Sequence, residues 1–261
     1  MTLEKSCVFA DTCKLAGNPN HCNYTCYPHA VLHGVEGGSG GLWNTTGVPK
    51  KYKSCRLRNL PIKEDNPKAY AIIEKYINNV LTFVLEKNAG LLLYSVPTAE
   101  NPFGTGTGKT TSAVTVLNHF LIERSRAYLR GEMDLIDNPA IFVKSTEMQN
   151  AFNAQFRGTK EMQETTSQRY YNLKKAVKKT ELVVLDDIAT RGSRISEAYE
   201  DELYEILDYR STQGLTTIFT SNVSLDELSK CLGERIASRI AGMTVKIGFT
   251  GKDNRLDGLF K

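Results

Sequence analysis

Five short apolar runs punctuate the chain beyond its first third: Leu91 to Val96, Ala140 to Val143, Leu182 to Leu185, Thr216 to Thr220 and Thr244 to Phe249. They are rich in Leu, Val and Ile, the pattern of strands buried on both faces of a parallel sheet. Between them lie amphipathic stretches, Ser112 to Arg130, Glu147 to Lys179 and Glu197 to Thr212, whose apolar positions recur at helical spacing. An earlier helix opens at Asn66-Pro67, with Asn66 as its cap and Pro67 at the first helical position. Its apolar side is Ile73, Ile77, Val80 and Val84. Alternating strands and helices from Pro61 onward predict an α/β domain with a mainly parallel sheet. Ser224-x-x-Glu227 reads as a capping box for a helix after the fourth strand.

The first third is different. Residues 1 to 33 are dense in Cys and His and poor in apolar periodicity, and they run into the glycine-rich stretch HGVEGGSGG from His33 to Gly41, which reads as a flexible joint. With 261 residues, 41% hydrophobic and 24% charged, the composition is that of a folded protein and excludes global disorder. No apolar run approaches the ~18 residues of a membrane span. The opening MTLEKSCVFAD lacks the apolar stretch of a secretory signal, so a cytoplasmic protein is expected. The net charge of +4 arises entirely from residues 1 to 60, which carry seven Lys and Arg against three Asp and Glu. That excess is too small for nucleic-acid binding by bulk charge, so any such contact must come from a local patch.

The most informative segment is Gly104, Thr105, Gly106, Thr107, Gly108, Lys109, Thr110 and Thr111, lying between a predicted strand and a predicted helix. Small residues let backbone N–H groups converge on phosphate oxygens, Lys109 reaches the β and γ phosphates, and the Thr110 hydroxyl suits Mg2+. The pattern G-x-x-x-x-G-K-[ST] would place its first glycine at position 103, where this chain has Phe103 after a long lead-in from Val96. Asp186 and Asp187 follow the run LVVL, so both carboxylates emerge where ligands bind in open α/β sheets. Asp186 is placed to hold Mg2+ and Asp187 to orient or deprotonate the attacking water. Asn222, ending the next strand, is placed to contact the same water or the γ phosphate.

From about Gly47 to its end the chain resembles AAA+ ATPases that load bacterial replicative helicases, the DnaC/DnaI type, which are close to the IstB ATPases of insertion sequences. The residues that carry the likeness are GVPKKY (47 to 52), GLLLYS, GTGTGKTT, LVVLDDIAT and TSNVSLDELSKCLGERIASRI (220 to 240). The resemblance implies a P-loop NTPase core with a five-stranded parallel sheet, no separate lid domain, and a small zinc-binding module ahead of it. It makes Lys109 and Thr110 the nucleotide and Mg2+ ligands, Asp186 and Asp187 the Walker B pair, and Asn222 the sensor. Arg239 matches the arginine finger that reaches a neighbouring subunit's γ phosphate, with Arg235 beside it. The two are four apart and share a helix face. The implied domains are a zinc-binding adaptor at 1–33, a flexible linker at 34–60 and the ATPase domain at 61–261. The implied function is ATP-dependent loading of a replicative helicase onto single-stranded DNA by a ring or spiral of self-associated subunits, with hydrolysis to ADP and phosphate. An IstB-like transposition ATPase and a zinc-containing, nucleotide-binding DNA regulator are the alternatives, the latter because Asp187 stands where many AAA+ enzymes place Glu. The host, bacterium or phage, is left open.

Cys7, Cys13, Cys22 and Cys26 form two pairs separated by a short loop, compatible with a tetrahedral thiolate zinc site, and His21, His29 and His33 are close enough in sequence for one of them to replace a cysteine. Cys55 and Cys231 are isolated and read as structural. Lys174, Lys175, Lys178 and Lys179 make one basic helical face preceded by Arg169, Tyr170 and Tyr171, a pattern that suits single-stranded DNA through stacking and phosphate contacts. The family likeness adds Arg191, Arg194 and Tyr199 to those DNA candidates. The competing reading is that lysines in a last turn satisfy the helix dipole.

Overall fold

A computed structural model describes residues 2–36, 40–189, 192 and 194–254. Five strands form one parallel sheet: β1 (Gly90–Ser95), β2 (Ala140–Lys144), β3 (Leu182–Asp186), β4 (Thr216–Ser221) and β5 (Thr244–Phe249), in the order β2-β3-β4-β1-β5. All five expected runs are therefore strands. Every residue of β3 and of the central β4 is buried; in β3 this matches the unbroken apolar run Leu182 to Leu185, whereas β4 sets Ile218 and Phe219 among four hydroxyl residues. At the edge, β5 exposes Val245.

Helices cover both faces: α1 (Tyr27–His33), α2 (Leu42–Thr45), α3 (Pro67–Ile77), α4 (Lys109–Leu129), α5 (Ser145–Ala154), α6 (Lys160–Lys179), α7 (Glu197–Thr212), α8 (Leu225–Leu232) and α9 (Glu234–Met243). Alternation along a strand sends neighbours to opposite layers. Leu91 and Leu93 pack with Leu117 and Phe120 of α4, while Leu92 packs with Val183, Phe219 and residues of α5 to α9.

Two helix boundaries and one cap differ from expectation. The stretch 147–179 is two helices rather than one, because the chain turns at Gly158 in a left-handed conformation (φ 86°) that favours glycine. Thr159 then caps α6, its hydroxyl accepting from the Met162 N–H at 3.4 Å. The first helix begins at Pro67 as expected, but Asn66 does not cap it. Its amide instead clasps the backbone beyond β5, donating to Thr250 O at 3.0 Å and accepting from Thr250 N–H at 2.8 Å. The helix also stops at Ile77 and resumes as a wide turn over Thr82–Glu86, so Val80 and Val84 are buried without one continuous helix.

The amino-terminal third shares the main core. Phe9, Leu32, Leu42, Val48 and Leu60 are buried in the cluster that contains Leu117 and Phe120, so the core continues across the expected boundaries at 33 and 60. This segment explains why α4 is buried despite polar residues on several sides. Asn118 donates to the Tyr52 and Cys55 carbonyls at 3.3 and 3.0 Å, and His119 Nε2 accepts from Leu57 N–H at 3.1 Å. Thr46 O accepts from Phe142 N–H at 2.7 Å, which occupies part of the β2 edge. His33 stacks on His29 with ring centroids 4.3 Å apart, meets Trp43 edge-on, and accepts from Val8 N–H. Among the described residues no helix is long and apolar enough to cross a membrane.

A buried arginine ties α6, α7 and β4 together. Arg210 is fully inaccessible and donates to the carbonyls of Val177, Thr180 and Thr216 and to the Thr217 hydroxyl, at 2.5–2.8 Å. Burial lowers its pKa to about 9.

Candidate functional site

The carboxyl ends of β1, β3 and β4 open into a cleft of about 380 Å3, in the range of small-molecule sites. Crossovers in a parallel sheet bring these strand ends together although they are distant in sequence. The loop after β1 leads directly into α4, and residues Gly106 to Thr111 line the cleft. Lys109 is buried at the helix start. Its ammonium donates to Ser95 Oγ at 2.7 Å, Gly104 O at 2.8 Å and Thr107 Oγ1 at 3.3 Å, so it lies against the loop it serves.

Opposite the loop stand the two aspartates. Asp186 Oδ1 accepts from two hydroxyls, Thr110 at 2.8 Å and Thr220 at 2.7 Å. Thr220 Oγ1 also accepts from the Asp187 N–H at 2.9 Å, so one strand residue orients both members of the pair. Asp187 has a left-handed backbone (φ 56°), and its carboxylate accepts from Asn222 Nδ2 at 2.7 Å. Left-handed non-glycine residues concentrate at functional sites, where surrounding contacts hold them.

The donor set fits a nucleoside triphosphate with a hard divalent cation. A small-residue loop at a helix start, a cation at its base, and a hydroxyl hydrogen-bonded to a carboxylate supply respectively the phosphate cradle, charge neutralisation and oxygen ligands. Thr110 and Asp186 would hold Mg2+, which when bound neutralises developing phosphate charge. Asp187 and Asn222 are placed together to orient a water.

Sequence reasoning missed four participants. Thr220 looks like any β-branched strand residue until its register beside Asp186 is known. Ser95 ends a strand, and only the fold places it under Lys109. Lys51 and Tyr52 line the cleft from the amino-terminal third. Their only sequence signal was the GVPKKY likeness.

The arginines lie elsewhere. Arg239 donates to Asp208 and, at 3.3 Å, to Tyr204 OH; Arg235 stacks 4.0 Å over the Tyr204 ring and pairs with Asp201 at 3.3 Å. These groups border a separate depression of about 440 Å3 that shares no residue with the nucleotide cleft.

The DNA candidates divide. Tyr170 and Tyr199 are corrected: both are buried, each packing on Phe152, and Tyr170 OH donates to Glu202 at 2.9 Å, so neither ring is open to a base. Lys174 pairs with Glu202 and Glu205 at 2.8 and 2.5 Å, and Lys178 pairs with Glu205 at 2.8 Å. The basic face of α6 is thus largely matched to acidic residues of α7. Tyr171, Lys175 and Arg194 are exposed. Arg191 lies outside the described residues.

The zinc expectation is also corrected. Among the described residues no group of three or more His, Cys, Asp or Glu side chains is arranged to hold a metal ion. Burial raises the Cys7 pKa, with smaller raising contributions from Cys26, Cys22 and Cys13. His29 and His33 are engaged in the ring stack, and His33 is held by burial at a pKa of about 4. Phe9, Val31 and Leu32 of this segment pack instead into the cluster that contains Leu117 and Phe120.

Comparison with known proteins finds relatives of the whole arrangement. The replicative helicase loader DnaC of Escherichia coli strain K12 is 24% identical over 206 residues, covering 76% of this chain and 67% of the relative. This chain is similar to the DnaC helicase loaders. DnaC of Buchnera aphidicola subsp. Baizongia pistaciae is 26% identical over 197 residues, 75% of this chain and 66% of its own. The crystal structure of the DnaC helicase loader superposes with a TM-score of 0.55 at 22% identity, covering 77% of this chain and 100% of that one. The DnaI crystal structure gives 0.54 at 21%, covering 82% and 99%. The fold is shared with both. No family model matches the chain.

Proposed function

We propose that this protein is an ATP-dependent loader of a replicative DNA helicase, acting on single-stranded DNA at the initiation of replication. One observation carries the reading: a phosphate loop that keeps GTGKTT faces an Asp186–Asp187–Asn222 constellation on a fold shared with DnaC, within a chain alignable to DnaC over three-quarters of its length. In this reading Lys109 and the loop bind the β and γ phosphates, and Thr110 with Asp186 holds Mg2+. Asp187, steadied by Asn222 and Thr220, orients the attacking water. Arg239, remote from its own cleft, reaches the γ phosphate of an adjacent subunit in a ring or spiral, with Arg235 beside it. Exposed Tyr171, Lys175 and Arg194 are the remaining candidates for DNA.

The test joins binding to transfer. Lys109→Ala is expected to abolish tight binding of a fluorescent ATP analogue and, with it, ATP-dependent delivery of a purified replicative helicase onto closed single-stranded circles. Unchanged affinity in Lys109→Ala removes the nucleotide site. Intact binding by the wild type with no helicase delivered removes the loader reading.

A further inference from the structure

The phosphate loop departs from its usual pattern at Phe103, which is 71% exposed, and the segment after β5 supplies what holds the loop instead. That segment, Thr250 to Asn254, is pinned at four of its residues. Asn66 clasps Thr250 on both its N–H and its carbonyl. Asn101, buried in the lead-in, uses its two amide hydrogens to bridge Thr105 O at 2.7 Å and Gly251 O at 2.9 Å. Asp253 Oδ2 accepts from the Thr105 hydroxyl at 2.7 Å, and Asn254 N–H reaches Gly106 O at 3.3 Å. The fit is close at Gly106, where φ is 65° and a Cβ would collide with the Asp253 carboxylate.

Asn254 lines the nucleotide cleft, and the preceding Asp253 lies behind it against Thr105 and Gly106 of the loop. The charge of the Asp253 carboxylate strengthens its hydrogen bond to Thr105. A loop whose N–H groups must converge on phosphate gains from being fixed beforehand, since otherwise binding must supply the cost of ordering it.

We infer that Asp253, through Thr105, is a positioning residue for the phosphate loop, and that the strap at 250–254 is part of the nucleotide site. The inference rests on the nucleotide-binding reading above. It adds to that reading a contact made from beyond the last strand, in a chain whose AAA+ core has no glycine at position 103.

The experiment is a double-variant cycle read by titration with a fluorescent ATP analogue, using the full chain. Asp253→Ala and Thr105→Val are each expected to weaken binding about tenfold, as for loss of one charge-assisted hydrogen bond. Together they should weaken it no further than either alone, because both remove the same bond. Asp253→Asn keeps an acceptor oxygen and is expected to recover most of the affinity. In ATPase assays Asp253→Ala should raise KM about tenfold with a much smaller change in kcat, a split that general loss of folded protein does not produce. Thr105→Val, which nearly conserves volume, carries the test if Asp253→Ala fails to fold. Affinities within twofold of wild type, or effects that multiply in the double variant, overturn the inference. Lys109→Ala measured alongside separates the two readings: unchanged affinity there removes the nucleotide site, whereas lost affinity there with unaltered Asp253→Ala removes only the strap.

Discussion

Thr110 and Asp186 are joined across the cleft by a 2.8 Å hydrogen bond, the hydroxyl at the start of α4 donating to the carboxylate at the end of β3. The two oxygens are neighbours because the P-loop helix starts beside the strand two places away in the sheet, and Thr220, on the strand between, holds the same carboxylate oxygen. A Mg2+ ion would draw on the lone pairs now shared with these protons. Thr110→Val is expected to weaken Mg2+-dependent ATP binding about 10–100-fold while leaving Mg2+-independent binding much closer to wild type. Parallel titrations with Mg2+ and with chelator check this.

In the proposed function Asp187 and Asn222 act after the nucleotide is seated. Asp187→Asn is expected to keep ATP affinity within about threefold and to lower turnover about 10²-fold or more, in the range of a lost general base. Thr220→Val should give a milder loss, restored by Thr220→Ser, because its hydroxyl orients both aspartates. Steady-state kinetics with a separate binding titration resolve the two effects. A large loss of affinity in Asp187→Asn with normal turnover would argue against its placement.

Arg239 faces Asp208 and Tyr204 rather than its own nucleotide cleft. Arg239→Ala is therefore expected to leave ATP binding by a single subunit nearly intact and to depress hydrolysis in the DNA-bound assembly by about 10³-fold if it acts as a finger. Mixing Arg239→Ala with Lys109→Ala subunits should restore part of the activity, since one interface then pairs an intact loop with an intact arginine. Wild-type hydrolysis by assembled Arg239→Ala would transfer the role to Arg235.

The amino-terminal third is expected to unfold with the rest of the protein. Leu32 is fully buried in the same cluster as Leu117 and Phe120. Leu32→Ala should destabilise the single unfolding transition by about 2–5 kcal/mol, measured by urea denaturation with a probe in the sheet domain. An independent adaptor would instead leave that transition unmoved.

His33 and His119 should give the fold an acid-sensitive component. Burial, aided by His29 and Arg56 for His33 and by Arg56 and Arg126 for His119, lowers both from 6.5 to about 4. Each uses Nε2 to accept a backbone N–H, from Val8 and Leu57. Between the two values the unfolded chain binds more protons, so this stability is complete above pH 6.5 and falls as the pH drops toward 4. Urea midpoints across that range should decline less steeply in His119→Gln, which keeps an acceptor but cannot titrate there.

The linear text determined most of the sheet and half of the site. All five strands were legible from short runs rich in apolar or β-branched residues, and Lys109, Thr110, Asp186, Asp187 and Asn222 stood out because phosphate chemistry favours such residue types near strand ends; the fold brings all five to one cleft. Local signals were less decisive where a side chain had a distant alternative. Asn66 looked like a helix cap but is claimed by Thr250, and Tyr170 and Tyr199 looked like stacking platforms but fill the space around Phe152. The cysteine spacing suggested a metal because a short segment alone lacks a core, yet here the segment borrows one from α4. Only the tertiary structure decided that Thr220 orients both aspartates and that Asp253 grips the phosphate loop. Each relationship joins residues 33 to 148 positions apart. No periodicity connects such positions; the crossovers of a parallel sheet and the path of the chain after its last strand do.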